Sequence, residues 1–316
     1  FAPCVLTRRT LLASLQKLPE DSRVVITGLV RDAADKMPND VENLLRAFGG
    51  FKEVKMLIIE SDSQDDTLLK LRQFQEKYRN VEYFSLGSLR SKLPERVDRL
   101  SYCRQFALSE ISSRYPSFDY VCVADLDGMN THISSEGIES CWERGGWDVC
   151  AANQLGHYYD VYALRHPTWC PQDYSLDERE LLDLGMHPMK ARREAVHKKQ
   201  RKISKKQDWI EVDSAFGGLA IYKMPLYIRG KYSSRQPVTG NILCEHVLFH
   251  ETLKKQGANI FINPKLINCE IRRFTSIKSF LKYFRSYVFS MLAPRRFLKW
   301  EEEQVRSYLR KLSANG

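Results

Sequence analysis

Tyr120-Val121-Cys122-Val123-Ala124-Asp125-Leu126-Asp127-Gly128 decides how the chain reads. Five residues suited to burial on both faces run directly into two carboxylates spaced by one residue. A continuous apolar run of this length, closed by a turn signal, is what a central strand of a parallel sheet looks like. Upstream, Val24 to Val30, Val54 to Ile59 and Val81 to Leu86 have the same character. Helical spacing fills the gaps: Val41 to Phe48 with Gly49-Gly50 as a stop, then Leu68, Leu69, Leu71 and Phe74, then Leu100, Phe106, Leu108 and Ile111. Strand and helix alternate four times over, which predicts an α/β fold with a mostly parallel sheet flanked by helices.

Polar residues gather where these strands end, at Arg31-Asp32, at Glu60-Ser61-Asp62 and at Asp125 and Asp127. Ligands of open α/β sheets bind outside the carboxyl ends of the strands, so the three clusters are expected to face one crevice. Beyond residue 150 the pattern loosens. Residues 167–209 are polar and read as a long loop or helical insertion. Order returns at Phe216 to Tyr222, in a helix from Cys244 to Lys255 and in a strand from Asn259 to Ile262.

The 316 residues are 43% hydrophobic, 28% charged and 11% aromatic, which excludes collagen-like, mucin-like and wholly disordered chains. The net charge of +10 is uneven: residues 187–206 and 272–316 each carry +8, leaving the remainder at −6. Two basic segments on a mildly acidic body suit a local anionic partner, such as lipid headgroups, sugar phosphates or nucleic acid, better than a protein coated in nucleic acid. Eight cysteines show no CxxC pair and none of the close spacings of a zinc site. Cys122 and Cys150 sit in apolar runs and read as small buried hydrophobes of a reducing compartment, which places the chain in the cytoplasm. The even count leaves a Golgi or secretory lumen open.

Asp125 and Asp127, just past a buried strand, suit a divalent cation, Mn²⁺ or Mg²⁺, that keeps positions open for phosphate oxygens. The alternative is a solvated turn, against which their place after the fourth strand weighs. The run from Glu60 to Thr67 offers carboxylates and hydroxyls to a ribose or base. A capped turn explains Ser63 to Thr67 equally well, but Glu60 and Asp62 less so.

In this order the motifs resemble nucleotide-sugar-dependent glycosyltransferases of the GT-A fold. Glu60 to Thr67 looks like that family's second-strand acidic motif. Tyr102 to Leu108 looks like its Ala-Arg-Asn helix, with Gln105 in place of Asn, and Asp125-Leu126-Asp127 looks like its metal-binding Asp-X-Asp. Ile26 to Asp32 and Phe216 to Tyr222 are similar to the fungal capsule mannosyltransferase group within that fold. The resemblance spans residues 22–268, and its order is more specific than any single motif.

The resemblance implies that Thr27, Arg31, Glu60 and Asp62 contact the donor nucleoside, that Asp125 reaches ribose or metal, and that Asp127 binds metal. Arg96, Arg99 and Arg104 stand ahead of the metal strand and are candidates to neutralise a diphosphate; a solvated helix face is the other reading of Arg96 and Arg99. Inverting members place a base at the start of a late helix, and Glu245 fits that place. His246 and His250, four apart, are candidates for metal, phosphate or sugar, or are structural. The family's third metal ligand, often His, has no counterpart in Asn263 to Asn268; His246, His250, Asn268 or water are the substitutes. Asp160, Arg165 and Asp213 are the candidates for sugar or acceptor recognition, and Gly217-Gly218 either admits a ligand to the backbone or bends a strand.

The implied organisation is an N-terminal extension (1–21), a catalytic domain (22–270) and C-terminal basic amphipathic helices (271–316). The catalytic domain divides into a nucleotide-sugar half (22–150) and an acceptor half (151–270) bearing the basic insertion 187–206. Ile277, Phe280, Leu281, Phe284, Val288, Met291 and Leu292 form one stripe beside Lys278, Lys282 and Arg285, suited to peripheral membrane contact or to docking on the core. No apolar run approaches the roughly 20 residues of a membrane span. The expected activity is transfer of a sugar from a nucleotide diphosphate sugar to a glycan or lipid-linked glycan in polysaccharide biosynthesis, with inversion and without a nucleic-acid partner. Two other classes compete. A nucleotidyltransferase calls for a Gly-rich phosphate loop with Lys, which Gly28 to Lys36 lacks, and a basic membrane or nucleic-acid binding module leaves the carboxylates unexplained.

Overall fold

The computed structural model describes residues 17–271. The C-terminal helices expected over 271–316, and most of the N-terminal extension, lie outside the described residues. The strands are Arg23–Val30 (β1), Glu53–Glu60 (β2), Val81–Ser85 (β3), Tyr120–Asp125 (β4), Val149–Gly156 (β5), Ile210–Val212 (β6), Leu219–Lys223 (β7) and Ile260–Ile271 (β8). The principal helices are Met37–Ala47 (α1), Thr67–Lys77 (α2), Arg96–Arg114 (α3), Ser135–Glu139 (α4), Tyr174–Asp183 (α5) and Glu245–Lys254 (α6).

Strands β3-β2-β1-β4-β7-β5-β8-β6 form one sheet in that order. The β3-β2-β1-β4 half is wholly parallel, as the alternation of strand and helix requires. β7 enters antiparallel between β4 and β5, and β6 closes the far edge antiparallel to β8. The fold class expected from the sequence, a mixed but mostly parallel sheet between helical layers, is the one observed.

Alternation along the strands divides the core between two faces. Val25, Leu57, Ile59, Val121 and Val123 point to the side covered by Cys103, Ala107 and Ile111 of α3 and by Val247 and Leu253 of α6. Val24, Ile26, Met56, Ile58 and Cys122 point to the side covered by Met37, Val41 and Leu44 of α1 and by Leu71 and Phe74 of α2. Each helix therefore buries one apolar stripe, and the strands between them are apolar on both faces. β8 passes through Pro264, which has no N–H for the ladder. The β5–β8 register shifts around Asn153, whose Nδ2 donates to the Pro264 carbonyl at 3.0 Å.

The described residues divide into two compact units, 17–173 with 200–271, and 174–199. The smaller unit contains α5 and Pro188–Arg192, so the polar stretch 167–209 includes a helical insertion. Inside it Arg192 pairs with Glu178 at 2.8 Å and covers the Tyr174 ring, while Lys199 pairs with Asp177. No helix of the described residues is long and apolar enough to cross a membrane.

Gly28 marks how closely β1 and β4 approach. A Cβ there would stand 2.6 Å from the Ala124 carbonyl oxygen and 2.7 Å from the Leu126 side chain. Gly28→Ala is expected to lower the unfolding free energy by about 1–3 kcal/mol in denaturant titrations. A change inside the scatter of such curves would mean that the two strands sit farther apart.

Candidate functional site

The carboxyl ends of β1, β2 and β4 open on a cavity of about 540 Å³. Arg31, Asp62, Arg96 and Arg99 line one part of it, Asp125 and Asp127 another, and Asp160, Glu245 and His246 a third. Each of the three polar clusters expected to share a crevice contributes to this one, through Arg31, through Ser61 and Asp62, and through Asp125 and Asp127, while Asp32 and Glu60 do not line it.

Tight turns set the arginine-lined end. Asp32 and Asp62 are the two non-glycine residues with positive φ among those described, at 48° and 62°. Side-chain hydrogen bonds lace their two loops together. Ser63 Oγ accepts the Asp32 N–H, Asp32 Oδ1 accepts the Gln64 N–H at 2.7 Å, and Asp65 accepts those of Ala34 and Thr67. Ser63 to Thr67 are thus the fabric of a capped turn. Asp62 faces the cavity, with Oδ1 accepting the Arg90 N–H at 2.9 Å and Oδ2 3.9 Å from Arg99 Nε. Arg99 is buried at the start of α3 and donates to the Leu93 and Pro94 carbonyls, whereas Arg96 is exposed at the rim.

Arg104 lies at the centre. It is buried in α3, donating through Nε to Glu245 Oε1 at 3.1 Å and through Nη2 to Asp125 Oδ1 at 3.2 Å. The Phe216 ring lies against its guanidinium at 5.2 Å. Arg104 was expected to meet a phosphate; in the fold it already holds two carboxylates that are 120 positions apart in the chain.

Gly217 and Gly218 act through their backbone. Both have positive φ, and a Cβ on Gly217 would meet the Ala152 carbonyl oxygen at 2.7 Å. The Gly217 N–H donates to Asp160 Oδ2 at 3.0 Å, and the Gly218 carbonyl accepts the Asp125 N–H at 2.9 Å. One glycine pair therefore orients two cavity carboxylates. Asp160 accepts a second N–H, from Ala163 at 3.1 Å, and burial raises its pKa.

Like charge crowds this end. Burial raises the Asp125 pKa to about 7; Arg104 opposes the shift, while Asp127, Asp160 and Glu245 add to it. A carboxylate under that pressure, a third exposed and next to exposed Asp127, marks a place short of positive charge. Two hard oxygen donors open to solvent fit Mn²⁺ or Mg²⁺, with the other positions supplied by phosphate oxygens and water. Among the described residues no group of three His, Cys, Asp or Glu is placed to hold a metal by protein ligands alone.

His246 lines the cavity with its ring stacked on Phe216, centroids 3.7 Å apart, and its Nε2 3.8 Å from Glu245 Oε1. Neither ring nitrogen has a hydrogen-bond partner. Burial first, then Arg104, pushes its pKa well below the ordinary value, so the ring is a neutral donor and acceptor at the cavity wall.

Seven sequence candidates do not line the cavity: Gly217 and Gly218, whose backbone orients its carboxylates, and the five that follow. Thr27 lies mid-strand between Leu57 and Val123, its side chain enclosed in the sheet layer. Glu60 turns inward to accept the Ser63 N–H and the Ser85 hydroxyl. Arg165 is held by Asp173 at 2.9 Å and by the Tyr162 and Leu164 carbonyls. Asp213 is half exposed and faces Lys254. His250 sits in the core with Ser214 at Nδ1, 2.8 Å, and Tyr222 at Nε2, 2.9 Å. Ser214 already donates to the Ala163 carbonyl, so Nδ1 carries the proton and Nε2 accepts from Tyr222. With both nitrogens engaged, His250 has no lone pair for a metal. Sequence reading missed Asp40 and the bridging role of Arg104; of these only Arg104 lay inside a recognised motif.

No family model matches the chain, and no curated protein matches it. Solved structures give distant likenesses. The mannosyltransferase PcManGT from Pyrobaculum calidifontis, in complex with GDP-Man and Mn²⁺, is 12% identical over 85% of this chain and 66% of its own, at a TM-score of 0.44. S. aureus TarS with UDP-GlcNAc is 10% identical over 80% and 60%, at 0.43. Glucosyl-3-phosphoglycerate synthase from Mycobacterium tuberculosis, with Mn²⁺, UDP and phosphoglyceric acid, is 13% identical over 86% and 78%, at 0.39. The chain thus spans less than two thirds of the TarS chain. Likenesses this distant transfer no activity.

Removing Arg104 leaves Glu245 buried without its counter-charge, so Arg104→Met is expected to cost about 3–5 kcal/mol of unfolding free energy. A loss under about 1 kcal/mol in chemical denaturation would remove Arg104 from the centre of the site.

Burial alone pushes His250 from its ordinary 6.5 down to about 3. Between those values the unfolded chain binds a proton that the folded chain refuses, so stability falls as pH drops from 6.5 toward 3. The slope is up to about 1.4 kcal/mol per pH unit. His250→Asn is expected to flatten the plot of unfolding free energy against pH in that window; an unchanged slope would place the titration elsewhere.

Proposed function

We propose that the chain is a metal-dependent glycosyltransferase that moves a sugar from a nucleotide diphosphate sugar to a glycan or lipid-linked glycan, with inversion. One observation carries this reading: a single cavity joins an arginine-lined end, an open Asp125–Asp127 pair and a carboxylate-lined end where Glu245 sits. Arg31 and Asp62 recognise the nucleoside, with Asp62 accepting from base or ribose. Arg96 and Arg99 face the diphosphate. Asp125 and Asp127 hold a divalent cation, which when bound neutralises the charge that develops on the leaving nucleotide diphosphate.

At the other end Glu245 accepts the proton of the acceptor hydroxyl as that oxygen attacks the anomeric carbon from the face opposite the leaving group. Arg104 fixes its direction from behind. Asp160 and the unpartnered nitrogens of His246 are placed to hydrogen-bond sugar hydroxyls, and Tyr159 and Tyr162 supply aromatic walls.

Thermal unfolding with UDP, GDP and their sugars, each with and without Mn²⁺, tests the donor end. One nucleotide at about 100 times its dissociation constant is expected to add about 2.7 kcal/mol with metal only, a gain that Asp127→Ala loses. Glu245→Gln is expected to keep that gain while turnover drops by about 10²–10⁴. Absence of any metal-linked nucleotide effect in the parent would overturn the assignment; full turnover by Glu245→Gln would remove the base.

A further inference from the structure

Asp40 is fully buried in the first turns of α1, and its carboxylate faces the turn that follows the metal-binding pair. Oδ2 accepts the N–H groups of Gly128 at 2.7 Å and Met129 at 3.2 Å, and Oδ1 accepts that of Asn130 at 3.0 Å. Three consecutive amides converging on one carboxylate form an anion-binding nest, here filled by the protein's own side chain. Asn43, one turn farther along α1, donates to the Asn130 carbonyl at 3.2 Å, and Asn130 donates its side-chain amide to the Asp125 carbonyl. Lys36, one turn earlier, lays its stem against Gly128, whose φ of +98° reverses the chain directly after Asp127. Residues 40 and 43 of the helix, with Lys36 just ahead of its first residue, form one stripe, and that stripe meets the turn.

Taking a carboxylate wholly out of water is costly, and here three backbone N–H groups offset that cost while being held in fixed directions by it. A helix end or an ordinary surface turn is satisfied by water or by a hydroxyl. From this arrangement we infer that Asp40 is a positioning residue for the cation site: by gripping the amides of 128–130 it sets the direction in which Asp127 presents its carboxylate. Asn43 and Asn130 hold the same turn at its carbonyls. The inference rests on the proposed role of Asp125 and Asp127. It adds a residue on a different element that touches neither metal nor substrate.

Replacement by Asn keeps the shape and one acceptor oxygen but turns an NH₂ toward at least one of the three amides. Mn²⁺ binding, followed by the loss of the free-ion electron paramagnetic resonance signal in the presence of the nucleotide that stabilises the parent, reads the effect without catalysis. Asp40→Asn is expected to weaken Mn²⁺ about 10- to 100-fold, the range seen when groups behind metal ligands are altered. Turnover is expected to return toward the parent value at saturating Mn²⁺, the effect falling on the metal KM and not on kcat. Asn43→Ala, at a half-buried position, loses one hydrogen bond and is expected to weaken Mn²⁺ about two- to tenfold, which decides the matter if Asp40→Asn does not fold. Parent-like Mn²⁺ affinity in a folded Asp40→Asn, or in Asn43→Ala where Asp40→Asn fails to fold, overturns the positioning role and leaves the proposed function standing. A parent protein that takes up no Mn²⁺ overturns the function itself, and the positioning role with it.

Discussion

The pair of ion bridges made by Arg104 is the constraint on which the cavity depends. A guanidinium buried in α3 is tolerable only with its charge matched, and here Glu245 and Asp125 match it. Those carboxylates belong to the first turn of α6 and the last residue of β4. Meeting Arg104 therefore fixes a helix of the second half of the chain against a strand of the first. Because the guanidinium is planar with donors at set angles, it also fixes the distance between the two acids, which a lysine would not do. The Gly217-Gly218 turn completes the arrangement by anchoring Asp125 from its backbone and Asp160 from its side chain.

What the sequence disclosed of this follows from what is local. The first four strands and three helices were legible because each is a continuous apolar run or a 3.6-residue stripe. Their parallel order follows from alternation alone. β5 was obscured by its polar end, Asn153-Gln154, whose amides satisfy loop backbone inside the core. β8 reads as stopping at Ile262 because Asn263-Pro264 looks like a breaker, yet the strand absorbs the proline through a register shift and continues to Ile271. The antiparallel entry of β7 between β4 and β5 depends on pairings far apart in sequence, for which no local pattern exists.

The site divides along the same line. Arg31, Asp62, Asp125 and Asp127 stand at strand ends, where topology directs them to the crevice, and Glu245 and His246 stand at a helix start beside it. Thr27 was misplaced by three residues' worth of strand, enough to enclose it in the sheet. Glu60 was misplaced by the pleat, which turns successive side chains to opposite faces. His250 does share a helical face with His246, the ring centroids 6.2 Å apart, but one turn deeper Ser214 and Tyr222 enclose it. Asp40 left no signal, since an acid in the first turn of a helix is ordinarily read as favourable to the helix dipole and nothing more.

The distribution of charge along the cavity also bears on how a donor would lie in it. A nucleotide diphosphate is anionic, and the end occupied by Asp125, Asp127, Asp160 and Glu245 repels it, while Arg31, Arg96 and Arg99 attract it. On the proposed reading the phosphates can reach the Asp125–Asp127 pair only together with a cation, and the uncharged sugar is the part that can extend toward the remaining carboxylates. Asp160 and Glu245 then meet hydroxyl groups, which donate to them, in place of phosphate oxygens, which do not. Reversing the donor would set phosphate against carboxylate and the uncharged sugar against the arginines, at a cost in both halves. On that proposed reading, the same charges that raise the pKa of Asp125 make cation and donor binding interdependent and favour one orientation of the donor.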